Sequence, residues 1–316
     1  MSNSILVVFV CMCVELMACD ICNMDINLIP ENNKNTLSLT YRSRFTSGRY
    51  NAFGTMMESP YRMFMHTGPQ SRNHYNKTVN EVFEVYTLSG NYFVSERLNI
   101  NVRLPFSHNV QYMDNQKTVE THGVGDLILL GNYEIINTKR IENSLTSFRW
   151  TIGGGVKLPL GKWNHKKEEE FLDIDLQNGT GSTDAILTSE YTLRYNKVGM
   201  LVSTNVKFNT TNSRGYKYGN SWNQQLTLFY LQKIGKINVM PHLALYHEIA
   251  RQDVENKQLL LQSGGEVMLA SGGLNLYFNK IRIDFTYQHG VRNNLNGITQ
   301  LNTTHRWLTG LVYYLN

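Results

Sequence analysis

GDLILLGNYEII at 125–136, FRWTIGGGVKLPLG at 148–161 and DAILTSEYTLRY at 184–195 decide how this chain is read. The first places Leu127, Leu129, Gly131, Tyr133 and Ile135 on one side and Asp126, Asn132 and Glu134 on the other. The second sets Phe148, Trp150, Ile152, Val156 and Leu158 against Arg149, Thr151 and Lys157. The third sets Ala185, Leu187, Tyr191 and Leu193 against Asp184, Thr188, Glu190, Thr192 and Arg194. Successive side chains of a strand point to opposite faces, so each run is a ribbon with one apolar face and one polar, charged face. Two architectures use many such ribbons. A sandwich turns the apolar face inward, whereas a membrane barrel turns it out to lipid and lines its lumen with the charges.

Working outward, the same alternation marks strands near 36–46, 81–93, 97–107, 124–136, 145–158 and 183–195. It continues near 198–209, 222–233, 236–248, 265–278, 281–292 and 305–315. Twelve strands result. Their connections alternate between hairpin length, as at Asn196-Lys197 and Asn279-Lys280, and long loops at 47–79, 108–122, 159–182, 210–221, 249–264 and 293–304. Greek-key sandwiches have no reason to shorten every second connection, while up-and-down outer-membrane barrels have short periplasmic turns and long extracellular loops. Closure also removes the exposed edges that long ribbons otherwise leave. The sequence therefore predicts an all-β, transmembrane, antiparallel barrel with both termini on the periplasmic side.

Composition agrees. Of 316 residues 41% are hydrophobic, and the mean hydropathy is −0.33. Outside the N-terminus no run of about 18 apolar residues exists, which excludes a helical membrane protein, whereas a barrel needs only alternate residues apolar. Tyr is abundant at 18 and Pro scarce at 6, as long strands with aromatic girdles require. The net charge of +5 is scattered, with no basic patch of the kind nucleic acid demands.

Three segments are expected: a signal peptide at 1–18, a periplasmic segment or short plug at 19–35, and the barrel at 36–316. Ile5 to Val14 forms the apolar core of the leader. Leu16-Met17-Ala18-Cys19 resembles a lipobox, which makes Cys19 a candidate for lipidation. Cys11 and Cys13 leave with the leader, so the mature chain keeps Cys19 and Cys22, a C-x-x-C without a second pair to complete a zinc site. Met56, Met57, Met63, Met65 and His66 in the first long loop form, with Cys22, a weak candidate set of soft metal ligands. Neither metal nor cofactor is otherwise expected.

Charges facing lipid cost roughly 2–4 kcal/mol for Arg or Lys at the midplane, so they belong inside. Predicted lumen-lining residues are Arg42, Arg44, Arg103, Asp126, Glu134, Arg149, Lys157, Asp184, Glu190, Arg194, Lys207, Arg282, Asp284 and Arg292, with Arg306 beside them. Basic groups outnumber acidic ones, which favours anions in an open lumen and wall-bracing ion pairs in a filled one. Gly153, Gly154 and Gly155 mark a strand kink or a lateral opening. An enzyme is not expected: no G-x-S-x-G is present, and no His is followed two residues later by the Ser that twelve-stranded outer-membrane lipases carry.

GVGDLILLGNYEI at 123–135, GGGVKLPLGKW at 153–163 and LQNGTGSTDAIL at 176–187 resemble, in order and spacing, signatures of the bacterial outer-membrane barrels named for the MetA pathway of phenol degradation. FEVYTLSGNYFVSERLNINVRLPFS at 83–107 is similar to that family's second hairpin, and the N-terminal Ala18-Cys19-Asp20-Ile21-Cys22 is Bacteroidetes-like. The family is distantly related to the long-chain fatty-acid transporter. This resemblance implies a porin-like transporter in the outer membrane of a Gram-negative bacterium, passing small, hydrophobic solutes, to which the excess of inward basic residues adds anionic ones. Expected partners are outer-membrane lipid, the barrel assembly machinery and a small-molecule solute. The alternative is a non-conducting barrel serving as a binding or assembly scaffold for metal or protein.

Overall fold

The computed structural model describes residues 34–50, 77–138, 145–261, 263–295 and 301–315. The strands β1 (Thr36–Tyr50), β2 (Lys77–Phe93) and β3 (Leu98–Met113) follow one another around the wall. β4 is written in two pieces, Gln116–Val124 and Leu127–Asn137, interrupted at Gly125-Asp126. Then come β5 (Thr146–Leu158), β6 (Asp184–Tyr195), β7 (Val198–Phe208) and β8 (Ser221–Tyr230). β9 (Ile237–Ala250), β10 (Gly265–Phe278), β11 (Ile281–Leu295) and β12 (Asn302–Tyr314) complete it. Each strand pairs antiparallel with its neighbours in sequence, and β1 pairs with β12, so the sheet closes as a twelve-stranded up-and-down barrel.

The barrel is inside out relative to a soluble protein. On β3 the outward residues Leu98, Ile100, Val102, Leu104 and Phe106 are each more than a third exposed, while the inward Asn99, Arg103, Ser107 and Asn109 are buried. Contiguous exposed apolar surface on this scale marks contact with something apolar. At about 3.3 Å per residue along a tilted strand, that row matches the height of an outer-membrane barrel's lipid-facing band. The band ends where His108, at 2.9 Å from Glu84 and 3.0 Å from Glu120, turns the outer face polar. A girdle of Phe285, Tyr287 and Trp307 faces the same way on β11 and β12, with Tyr287 and Trp307 ring centres 4.5 Å apart. The fold is that of an outer-membrane β-barrel.

The structure corrects several expectations. The segment 108–122 is not a loop: β3 and β4 run past the apolar band as a hairpin turned at Asp114 (φ 50°) and Asn115 (φ 65°), the left-handed pair of a type I′ turn. The first strand continues to Tyr50 and the second starts at Lys77, so the first long loop is shorter than 47–79. A register shift between Glu134 and Ile136 displaces Ile135, and Ile136 takes the outward place, with 39% exposure. Arg292 does not line the lumen. Val291 bulges out of register, so Arg292 pairs with the outward Met268 and reaches Glu266 at 3.4 Å on the outer surface. Pairing runs unbroken through Gly153, Gly154 and Gly155 on both sides, so the wall is closed there. Room explains two of these glycines: a Cβ on Gly155 would overlap the Leu129 carbonyl oxygen, and one on Gly153 the Asn132 side chain.

Candidate functional site

Strand alternation sends charges into the lumen, and register decides which of them meet. Lys157 of β5 pairs with Ile128 on one side and Asp184 on the other. Its ammonium lies 2.9 Å from Asp126 Oδ2 and 2.7 Å from Asp184 Oδ2, all three side chains being buried. Arg149 of β5 meets Glu134 of β4 at 2.8 Å, and Arg282 meets Asp284 two residues on at 2.9 Å. Arg42, Arg44, Arg103 and Arg306 are buried, while Glu190, Arg194 and Lys207 are half-buried. Arg44 lies over the Phe83 ring, 3.9 Å from its centre.

Loop 159–183 closes over this interior. Its two ends converge on Asp126, whose carboxylate accepts from the Gly161 amide at 3.0 Å, the Thr180 amide at 2.9 Å and the Thr180 hydroxyl at 2.8 Å. The packing leaves no space for side chains: a Cβ on Gly179 would sit 2.6 Å from both Asp126 Oδ1 and the Gly161 backbone. Between these ends the short 3-10 turn Ile174–Leu176, capped by Asp173, sinks into the mouth. Leu176 is 1% exposed. Its carbonyl accepts from Thr121 Oγ1 at 2.6 Å and Asn109 Nδ2 at 3.3 Å, and the Asn178 amide donates to Ser107 Oγ at 2.8 Å. Ser107, Asn109 and Thr121 are inward residues of β3 and β4, so the loop docks on the inner wall.

A second layer braces the first. Tyr216–Lys217, Val254–Glu255 and Gln258–Leu259 form a three-stranded sheet between loops 209–220 and 251–264. Asp253 accepts from the Gly219 amide at 2.6 Å and from the Tyr216 hydroxyl. Burial pushes the Asp253 carboxyl up to about 6, and burial together with that carboxylate raises Tyr216. Tyr218 donates to the Ile174 carbonyl at 3.2 Å, and Arg214 stacks 3.4 Å above the Phe171 ring centre, tying this layer to loop 159–183.

Below the loop lies a cavity bounded by Arg42, Arg44, Lys157 and Lys207, by apolar Phe83, Val85, Ile128 and Ile186, and by Asp175, Gln177, Asn178 and Thr180 of the loop. Alternation had pointed to all four cations. It had no signal for Asn178, Thr180, Tyr216 or Asp253, which are loop residues whose roles come from tertiary packing. Gly179 makes the close approach to Asp126, and Gly181, at φ 70°, lies against the Trp163 ring. Cys19, Cys22, Met56, Met57, Met63, Met65 and His66 lie outside the described residues. Among the described residues no group of three or more His, Cys, Asp or Glu is placed to hold a metal ion.

No protein-family model matches the chain, nor does any curated protein. Solved structures do. An outer-membrane channel from Pseudomonas putida F1 superposes with a TM-score of 0.62 at 16% identity, covering 93% of this chain and 99% of that one. The β-domain of a Bordetella autotransporter gives 0.43 at 11% identity over 89% and 100% of the two chains. A FadL homologue from Pseudomonas aeruginosa gives 0.38 at 10% identity over 90% and 91%. The first shares this architecture along nearly its whole length, and the other two are too distant to carry an argument.

Proposed function

We propose that the chain is an outer-membrane channel for small solutes, with loop 159–183 as a constriction docked in its mouth. One observation carries the reading: a lipid-facing closed barrel has an interior lined by ionic and polar side chains, the lining that passes solutes which lipid excludes. Excess basic groups favour anionic solutes, and apolar Phe83, Ile128 and Ile186 beside them suit solutes with an apolar part. Similarity to the P. putida channel supports the architecture this function needs. The leader at 1–18, the lipidation of Cys19 and a plug formed by 19–35 are part of this proposal, and all but residues 34 and 35 fall outside those described. Recognition of β12 by the barrel assembly machinery is likewise proposed, from the apolar and aromatic residues Leu311, Val312, Tyr313 and Tyr314 on that strand.

The docked loop also favours a second reading, a non-conducting scaffold whose loops or Cys- and Met-bearing segments bind metal or a partner. Single-channel recording in planar bilayers separates the two. A channel gives unitary current steps, larger or longer-lived once residues 172–180 are replaced by a short Gly-Ser linker. Folded, heat-modifiable protein that stays silent in both forms would support the scaffold and refute the channel.

A further inference from the structure

Charges that lie far apart in the chain are gathered by the barrel at one rim. Four of its short turns are described, β2–β3, β6–β7, β8–β9 and β10–β11, and every one carries an exposed Lys or Arg: Arg97, Lys197, Lys233 with Lys236, and Lys280. Glu96 is the one carboxylate in these described turns. Lys197 donates to the neutral Gln232 Oε1 at 2.9 Å, and none of the five cations meets a carboxylate among the described residues. The opposite rim mixes its signs. There Lys117 pairs with Glu120 at 2.6 Å and Arg292 with Glu266 at 3.4 Å, and Lys166-Lys167 runs straight into Glu168-Glu169-Glu170. The basic rim also stands at a fixed height. Asn196 (φ 52°) and Asn279 (φ 38°) make tight turns that hold Lys197 and Lys280 two residues from the outward, exposed Tyr195 and Phe278. Tyr92, Tyr230 and Tyr313 continue this exposed aromatic row, of the kind that sits at headgroup level. At about 3.3 Å of rise per residue the two lysines leave the chain within roughly 7 Å of the row, inside a Debye length at physiological salt.

We infer that this rim is a docking surface for anionic phospholipid headgroups, of the phosphatidylglycerol type, in the periplasmic leaflet that the short turns face. The lipid phosphate meets the Lys and Arg side chains, and the acyl chains run along the apolar wall beyond the tyrosines. Lysine stems lie along that wall while their ammonium groups stay among the headgroups. Because the turns are spaced around the barrel, they meet separate lipids, so the rim selects a shell of anionic lipid and sets the depth at which the barrel sits. The inference rests on the barrel and its orientation and is independent of the channel reading.

Lipid retention tests it. The refolded full chain is equilibrated with mixed micelles holding equal amounts of dioleoylphosphatidylglycerol and dioleoylphosphatidylcholine, and the lipid that stays bound is identified by native mass spectrometry. One Lys or Arg near an anionic surface is worth about fivefold, so phosphatidylglycerol should be retained about fivefold or more over phosphatidylcholine at about 20 mM salt. At about 1 M salt, where charges are screened within about 3 Å, the preference should fall below about twofold. Combining Lys197→Gln, Lys233→Gln, Lys236→Gln and Lys280→Gln should also bring it below about twofold at low salt; all four side chains are exposed, so the variant folds, and heat-modifiability checks this. Neutralising four lysines of the other rim, Lys117, Lys162, Lys166 and Lys257, should leave the preference in place. Equal retention of the two lipids by the unaltered protein overturns the inference, as does a preference that survives the four turn substitutions or that either set of substitutions removes equally. Equal lipid retention together with sedimentation on purified cell-wall sacculi, lost in the turn variant, overturns it in favour of an acidic polymer.

Discussion

Lys157 and Asp126 meet at 2.9 Å inside the wall, and the same carboxylate oxygen receives the amide and hydroxyl of Thr180. One aspartate thus joins the lumen's charge network to the loop that closes its mouth. Its position follows from strand parity, which Asp126 shares with the inward Ile128, Leu130 and Glu134, and from the break in β4 at Gly125-Asp126, where the loop ends reach it.

Replacing this aspartate tests the connection. Asp126→Asn leaves Lys157 with Asp184 alone, so the cost falls below the 3–5 kcal/mol of a fully broken buried pair, at about 2–3 kcal/mol. Urea unfolding of the refolded protein measures it. Cleavage by trypsin at Lys166 and Lys167 should accelerate, because the loop loses a charged anchor at both ends; an unchanged cleavage rate would mean that Asp126 does not hold the loop.

Gly179→Ala forces a Cβ to within 2.6 Å of Asp126 Oδ1 and of the Gly161 backbone. Backbone cannot give way as a flexible side chain can, so a cost of about 1–3 kcal/mol and a faster-cleaved loop are expected. Gly90→Ala is the control, since nothing lies within 4 Å of its added Cβ. Equal effects at the two positions would contradict the packing described here.

Acidification should tighten the outer layer. Burial raises Asp253 from 3.8 to about 6, so between those values the folded protein binds more proton than the unfolded chain and stability falls as pH rises. That rise is worth on the order of 2–3 kcal/mol, present in full below about pH 3.8 and lost as pH rises through about 6. Hydrogen exchange at the Gly219 amide, read at pH 5 and pH 7 and corrected for intrinsic rates, is expected to show greater protection at pH 5. Asp253→Asn should remove the difference; a difference that survives it would assign the effect elsewhere.

Alternation carried far in this sequence because lipid and lumen impose opposite demands on successive residues. Each of the twelve strands overlaps the run that pattern marks, and Leu98 to Phe106 shows why, each alternate side chain facing lipid. The pattern fails where one demand is lifted. Above the lipid band the β3–β4 hairpin faces water, so His108, Asn109, Glu120 and His122 show no apolar period and the strand is legible only from its Asp114-Asn115 turn. Parity also fails at a bulge, which is why Arg292 reads as inward and lies outward. The Lys157 triad was half legible: alternation sends Lys157, Asp184 and Asp126 inward, but their contact depends on register across β4, β5 and β6. The docking of Leu176 and Asn178 on the inner wall leaves no periodic trace.

The central claim is a lumen that passes small solutes and favours anions. Its most direct test is the reversal potential of the refolded protein in a planar bilayer under a tenfold KCl gradient. Chloride selectivity is predicted, weakened in Lys207→Gln as one lumen cation is lost. Reversal on the potassium side would contradict the reading that the excess of basic groups in the lumen favours anions.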